Sequence, residues 1–93
     1  MRDKQRRVPL DRDGAVAVAA QAIAFLAAEE DRLGRFLALT GLSPAELKAG
    51  LRQPAFLGAV LDHLLGDEPL LLAFTDSIGI APEVPAAARR LLP

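Results

Sequence analysis

One pattern, written twice, constrains this chain more than any other feature. Residues 30–44 read Glu30-x-x-Leu33-x-x-Phe36-x4-Gly41-Leu42-x-Pro44, and residues 68–82 read Glu68-x-x-Leu71-x-x-Phe74-x4-Gly79-Ile80-x-Pro82, every matched position 38 residues apart. Each residue type has a local physical job. A Glu in a first turn meets the positive end of a helix dipole. Leu and Phe three residues apart share one helix face. Gly tolerates the left-handed conformation that closes many helices, and Pro suits the first turn of the next one. Each copy therefore reads as a helix, a Gly stop and a Pro-started helix.

The correspondence extends beyond the pattern. At the same offset of 38, Ala17/Ala55, Leu26/Leu64, Ala49/Ala87 and Arg52/Arg90 are identical, and Ile23/Leu61 and Ala22/Val60 are conservative. Residues 16–53 and 54–91 are candidate repeat units, each a long helix, a second helix ending in Gly and a short third. Helix punctuation of this kind recurs in all-α proteins, and Ala and Leu matches are common in this composition, so duplication and coincidence both stand at this point. Two copies are fewer than the roughly three repeats a free-standing solenoid needs. The copies are expected to close on each other as one compact bundle, or to use a partner surface.

Composition agrees with an all-α fold of five or six short helices. The 93 residues fit one domain, rich in Ala and Leu, with four Phe and no Trp or Tyr. No stretch alternates apolar and polar residues as a half-buried strand does. Cys is absent, which excludes disulfides, thiolate metal ligands and Cys nucleophiles. Arg2, Lys4, Arg6 and Arg7 against Asp3 give residues 1–7 a net charge of +3, so the remainder carries −4 of the overall −1. Residues 1–10 read as a basic, frayed tail and 11–93 as the domain. The basic start is not followed by the apolar core of a secretory signal. Residues 15–28 form an apolar run broken only by Gln21, shorter than the ~20 residues a membrane-crossing helix needs. A cytoplasmic protein without a membrane span is expected.

The helices are placed by their caps and apolar spacing. Asp13 is the expected N-cap of a helix over 14–28. Val16, Ala19, Ala20, Ile23 and Ala27 lie on one of its faces, and Val18, Ala22, Phe25 and Leu26 on a second, which predicts a helix covered on most sides. A turn is expected near Glu29–Asp31, then a helix over 31–40 with Leu33, Phe36, Leu37 and Thr40 in one stripe. Ser43, Pro44 and Glu46 form the clearest signal, a capping box with Pro at the first helical position. The helix it opens, 44–51, is expected to bury Leu47 and Leu51. Pro54 starts a helix over 54–65, Asp67 caps one over 68–77, and a short sixth helix ends in Arg89-Arg90.

No reactive constellation assembles along the chain. His63 is the single histidine. Its neighbour Asp62 does not share its helix face, and no Ser, Cys or second His completes a triad. A surface or boundary histidine is expected. Glu29, Glu30, Asp31, Asp67 and Glu68 are hard-ion donors by type, but capping accounts for them more simply, and no metal or other cofactor is expected. The glycines are scattered and form no phosphate loop. Residues 36–53 have the outline of a helix-turn-helix. Yet its second helix opens with Pro44, Ala45 and Glu46 where Arg, Lys, Asn or Gln would read base edges, and only Lys48, Arg52 and Gln53 follow.

The stretches Arg35-Phe36-Leu37-Ala38-Leu39-Thr40-Gly41-Leu42-Ser43-Pro44, Pro54-Ala55-Phe56-Leu57-Gly58-Ala59-Val60-Leu61-Asp62 and Asp67-Glu68-x-Leu70-Leu71-x-x-Phe74 resemble a family of small bacterial proteins classified only as a domain of unknown function. The resemblance spans about residues 14–91. It implies a small intracellular helical protein and carries no catalytic residues over. A non-enzymatic protein–protein interaction or self-association module is therefore expected, with a protein partner or a homo-oligomer. The alternative is a helix-turn-helix-like DNA-binding protein using residues 36–53. The positions where the copies differ, Arg32, Arg35, Glu46 and Lys48 against Leu70, Ala73, Val84 and Ala86, are the places to look for adaptation to a partner. Arg32, Arg35, Lys48 and Arg52 are the candidate partner-binding cations.

Overall fold

The computed structural model describes residues 10–93, which form six helices and, among the described residues, no strand. They are α1 (Arg12–Ala27), α2 (Glu30–Thr40), α3 (Pro44–Gly50), α4 (Pro54–Leu65), α5 (Glu68–Ile78) and α6 (Val84–Arg90). The basic tail read over residues 1–10 lies outside the described residues, except for Leu10, which packs partly buried against the core.

The start of α1 is two residues earlier than expected. Asp11, not Asp13, is the N-cap, and its carboxylate accepts a hydrogen bond from the Gly14 N–H at 2.8 Å. Asp13 sits inside the first turn, where a carboxylate is favourable but caps nothing. Leu10 folds over Gly14, whose bare Cα makes room for it: a Cβ there would lie 2.9 Å from the leucine Cδ1.

α1 is also less enclosed than its two apolar faces predicted. Ala15, Val18, Ala19, Ala22, Ile23, Phe25 and Leu26 are buried. Val16 is 36% exposed, and Ala20 and Ala27 are exposed too. The neighbours of α1, chiefly α6 and α4 with α2 at its end, all lie on one side. Ala15, Ala19 and Ala22 are wholly buried, and their small side chains let those helices approach closely.

α1, α4 and α6 form the central packing unit, with α2 attached to α1 and α5 to α4. Leu57, Val60, Leu61 and Leu64 of α4 supply its inner face, at the expected helical spacing. Phe36 and Phe74, the largest buried side chains, plug α2 and α5 onto this unit. Gly41 (φ 75°) and Gly79 (φ 71°) close α2 and α5 in the left-handed region, where a Cβ would be strained.

Side-chain caps set the remaining boundaries. Asp67 accepts from the Leu70 N–H at 3.2 Å. At α3, Ser43 Oγ accepts from the Glu46 N–H at 3.1 Å, and the Ser43 N–H donates to Glu46 Oε1 at 2.9 Å, completing the capping box. Thr40, placed in an apolar stripe by spacing, is exposed and turns its hydroxyl back to the Phe36 carbonyl at 2.8 Å.

The two short helices differ in placement. α6 is wedged between α1 and α4 with Pro85 and Ala88 buried. α3 lies outside the central unit. Leu47 is half-buried, but Leu51, expected inside, is 45% exposed because α3 ends one residue before it and the chain turns toward Pro54. α3 is held by the ring of Phe56 over Gly50, where a Cβ would come within 2.6 Å of the ring.

Candidate interaction surface

The two helices that carry the repeated Phe each receive an aromatic ring from the other half of the chain. Phe25 of α1 meets Phe74 of α5 with centroids 5.5 Å apart, and His63 of α4 meets Phe36 of α2 edge-on at 4.9 Å. Positions 25 and 63, and positions 36 and 74, are both 38 apart. The contacts are reciprocal: each half sends its long helix onto the Phe helix of the other. A groove lies beside each contact.

The first groove, of about 530 Å³, runs between the C-terminal half of α1 and α5. Phe25 and Ile78 form its apolar walls, with Ala24, Ala28 and Ala73 opening its mouth. Its one charged lining residue is Arg32, whose guanidinium stacks 4.0 Å from the centroid of the Phe25 ring and pairs with Glu29 at 3.6 Å. The groove opens beside the exposed side of α1, which carries no charge from Gly14 to Ala28 in a chain that is 25% charged. Leu72, 43% exposed, extends apolar surface along α5.

The second groove, of about 550 Å³, is polar. Arg35 and Leu39 of α2 face Asp62 and His63 of α4 and the start of α5 at Asp67 and Glu68. These groups are largely engaged in structure. Asp62 accepts from Arg89 Nε at 2.8 Å, and Asp67 caps α5. His63 Nε2 is buried without a hydrogen-bond partner. Burial holds the His63 pKa below its ordinary value; Asp67 opposes that shift and Arg35 adds to it. Among the described residues no three His, Cys, Asp or Glu side chains cluster as metal ligands.

The four cations singled out by sequence fall in three places. Arg32 lines the apolar groove and Arg35 the polar one. Lys48 and Arg52 lie together, exposed, along α3 and the turn after it. Of the residues marked by differences between the copies, Ala73 is the one that shapes a groove: where the first copy has Arg35, the small Ala73 leaves the α1–α5 groove open. Phe25 was not expected in a binding surface, since it read as part of a covered helix face, and Ile78 was not singled out. The uncharged run of α1 was the available signal.

The fold and its surface define a small all-α domain of six helices built on a central α1–α4–α6 unit. The chain belongs to the family described as Protein of unknown function (DUF3572), which matches residues 12–93. No curated protein and no solved structure matches it. Among the described residues, no helix is long and apolar enough to cross a membrane.

Proposed function

We infer that the chain is a non-enzymatic helical interaction module, and that it docks an apolar helical surface in the groove between α1 and α5. The observation that carries this is the groove itself: half-buried Ile78 and the edge of the buried Phe25 line it, and it continues onto a helix face without charge from Gly14 to Ala28. Exposed apolar patches rimmed by polar residues mark interaction sites when they are large, and this groove with the adjoining face of α1 is the candidate. The polar groove supports the non-enzymatic part, because two of its three carboxylates, Asp62 and Asp67, are committed to Arg89 and to the α5 cap.

Site-specific photocrosslinking tests the proposal. A photoreactive side chain at exposed Ala73 or Ala24 should give one discrete product in the cells that make the protein, and the same group at Ala45 on α3 should not. Equal labelling from all three positions, or none from the groove, would remove the groove as the docking surface. DNA binding through α3 makes a different demand. It requires a gel shift at low salt that Lys48→Ala and Arg52→Ala both weaken.

A further inference from the structure

We propose that α3 is an order–disorder segment: it lifts from the domain and unfolds as a unit while the other five helices keep their packing, and in doing so it uncovers the ring of Phe56. This does not depend on the α1–α5 groove.

The two short helices carry the inference by their contrast. α3 and α6 are each seven residues long and close the two candidate repeat units. Length and end-fraying are therefore matched, and what differs is what each helix rests on. Five residues of α3 are exposed, Leu47 is half-buried and Gly50 alone is buried. In α6 Arg90 alone is exposed, Pro85 and Ala88 are buried, and Leu92 just beyond is buried too. Gly50 stands 38 residues before Ala88, so the enclosed position of α3 contributes no side chain.

Polar anchoring differs in the same direction. Arg89 of α6 donates to Asp62 of α4 at 2.8 Å and to the Leu92 and Pro93 carbonyls at 3.1 and 3.2 Å. At the 38-residue offset the counterpart of Arg89 is Leu51, 45% exposed, and the counterpart of Asp62 is Ala24. The bond that ties α6 to α4 has no equivalent for α3. The side-chain hydrogen bonds of α3 are its own capping box, and among the described residues no ion pair reaches it from another helix. Its hold is apolar: the Phe56 ring over Gly50, and Leu47 against the core.

Both ends of α3 are turns. Gly41 (φ 75°) lies before it, and exposed Leu51 and Arg52 follow it ahead of Pro54. A helix of seven residues does not persist in water without tertiary support, so α3 loses its backbone hydrogen bonds once it leaves Phe56. Leu47 and Phe56 are already half-exposed. Lifting α3 therefore takes little further apolar surface into water, and such local openings cost far less than global unfolding. The outcome is a conditional apolar surface at the start of α4, with Phe56 partly covered when α3 is folded and presented when it is not.

Native-state hydrogen exchange on the full chain, in low concentrations of urea, tests this. The amides compared are Leu47–Gly50 in α3 and Ala87–Arg90 in α6, which hold matching places after each N-cap. After correction for intrinsic rates, those of α3 should exchange at least about a hundredfold faster. Their rates should be nearly flat in urea, while those of α6 and of Val60–Leu64 in α4 should climb with the slope of global unfolding. Ile23→Val, a mild loss in the core, should speed exchange in α4 and α6 by about two- to tenfold and leave α3 unchanged. Phe56→Ala should speed α3 exchange at least about tenfold. Equal rates in α3 and α6, whether slow or fast, or α3 rates that rise with urea or with Ile23→Val as those of α4 do, would overturn the proposal. An α3 rate that Phe56→Ala leaves unchanged would overturn it as well, since opening would then not release the ring. If Phe56→Ala does not fold, the parent chain and Ile23→Val decide the matter between them.

Discussion

In the groove of α1 and α5, Phe25 rests on Phe74; in the groove of α4 and α2, His63 rests on Phe36. The helices around the two contacts correspond at the 38-residue offset, and so do the residues beside them: Ala24 with Asp62, Phe25 with His63, Ala73 with Arg35. The backbone plan is shared and the chemistry is not. Three apolar positions in one groove are ionisable in the other. The contacts are symmetric in this sense alone: α1 meets α5 through Phe25 and Phe74, and α4 meets α2 through His63 and Phe36. The short helices break that symmetry. α6 occupies the space between α1 and α4, so its counterpart α3 is left outside, tied down by its cap and by Phe56.

The sharpest way to break the comparison is at the two buried phenylalanines. Phe36 is 1% and Phe74 0% exposed, each the plug of its Phe helix. Removing either ring leaves a cavity that the surrounding helices refill only in part, at a cost of about 3–5 kcal/mol. If the halves are equivalent supports, Phe36→Ala and Phe74→Ala should lower unfolding free energy in urea by similar amounts. A loss below about 1 kcal/mol for one of them would show that its half is not integral to the fold.

A smaller effect is expected at two close approaches, one where α4 meets the end of α6 at Gly58 and one at Gly50 of α3. A Cβ on Gly58 would lie 2.9 Å from the Pro93 carbonyl oxygen and 3.0 Å from the Arg89 guanidinium, which also holds Asp62 and the Leu92 carbonyl. The obstacle there includes backbone. At Gly50 the obstacle is the Phe56 ring, half-buried and able to shift. Overpacking costs about 1–3 kcal/mol, and replacing Gly by Ala in a helix returns about 1 kcal/mol. Gly58→Ala should therefore lose up to about 2 kcal/mol in a denaturant melt and Gly50→Ala less. The reverse order would mean that α3 is anchored more firmly than α6.

Next in size is the cap of α3. Ser43→Ala removes one side of the capping box and should cost about 1 kcal/mol. Its counterpart is Ala81, but α6 starts at Val84, two residues later than the repeat would place it. Ala81→Ser therefore caps nothing and should change stability by less than about 0.5 kcal/mol. A gain of the size lost at Ser43 would show that α6 can restart at the repeated position.

These contrasts mark what was legible in the sequence. Boundaries set by short-range chemistry could be read directly: the Ser43–Glu46 box, the Asp67 cap, the glycines at 41 and 79, and Pro54 at the start of α4. The first cap was misplaced because Asp11 and Asp13 offer the same group, and only the position of Leu10 over Gly14 distinguishes them. Burial was harder to read. Val16 and Leu51 have the right spacing for core, yet spacing says which residues share a face and not whether another helix covers it. The grooves were hidden for the same reason. Phe25 lies about fifty residues from Ala73 and Ile78 along the chain, by residue number, and only the packing of α1 against α5 brings them together.

The subtlest difference between the grooves is a pH dependence carried by one ring. Burial depresses the His63 pKa in the folded state, with Asp67 pulling it back and Arg35 pushing it further down. The unfolded chain then takes up its proton first as pH falls. Above the ordinary value of 6.5 the ring is neutral in both states and has no effect. Below it, stability declines with falling pH until the folded pKa has also been passed, after which this contribution is constant. His63→Phe copies the Phe25 arrangement into the polar groove. It removes the titration and the unpartnered Nε2 while keeping an aromatic ring against Phe36. The variant should match the parent within about 1 kcal/mol near neutral pH and outlast it as pH falls just below 6.5, where carboxylates remain ionised. Parallel stability–pH curves for the two proteins would show that His63 reaches solvent as it protonates, and that the two grooves differ less than their residues imply.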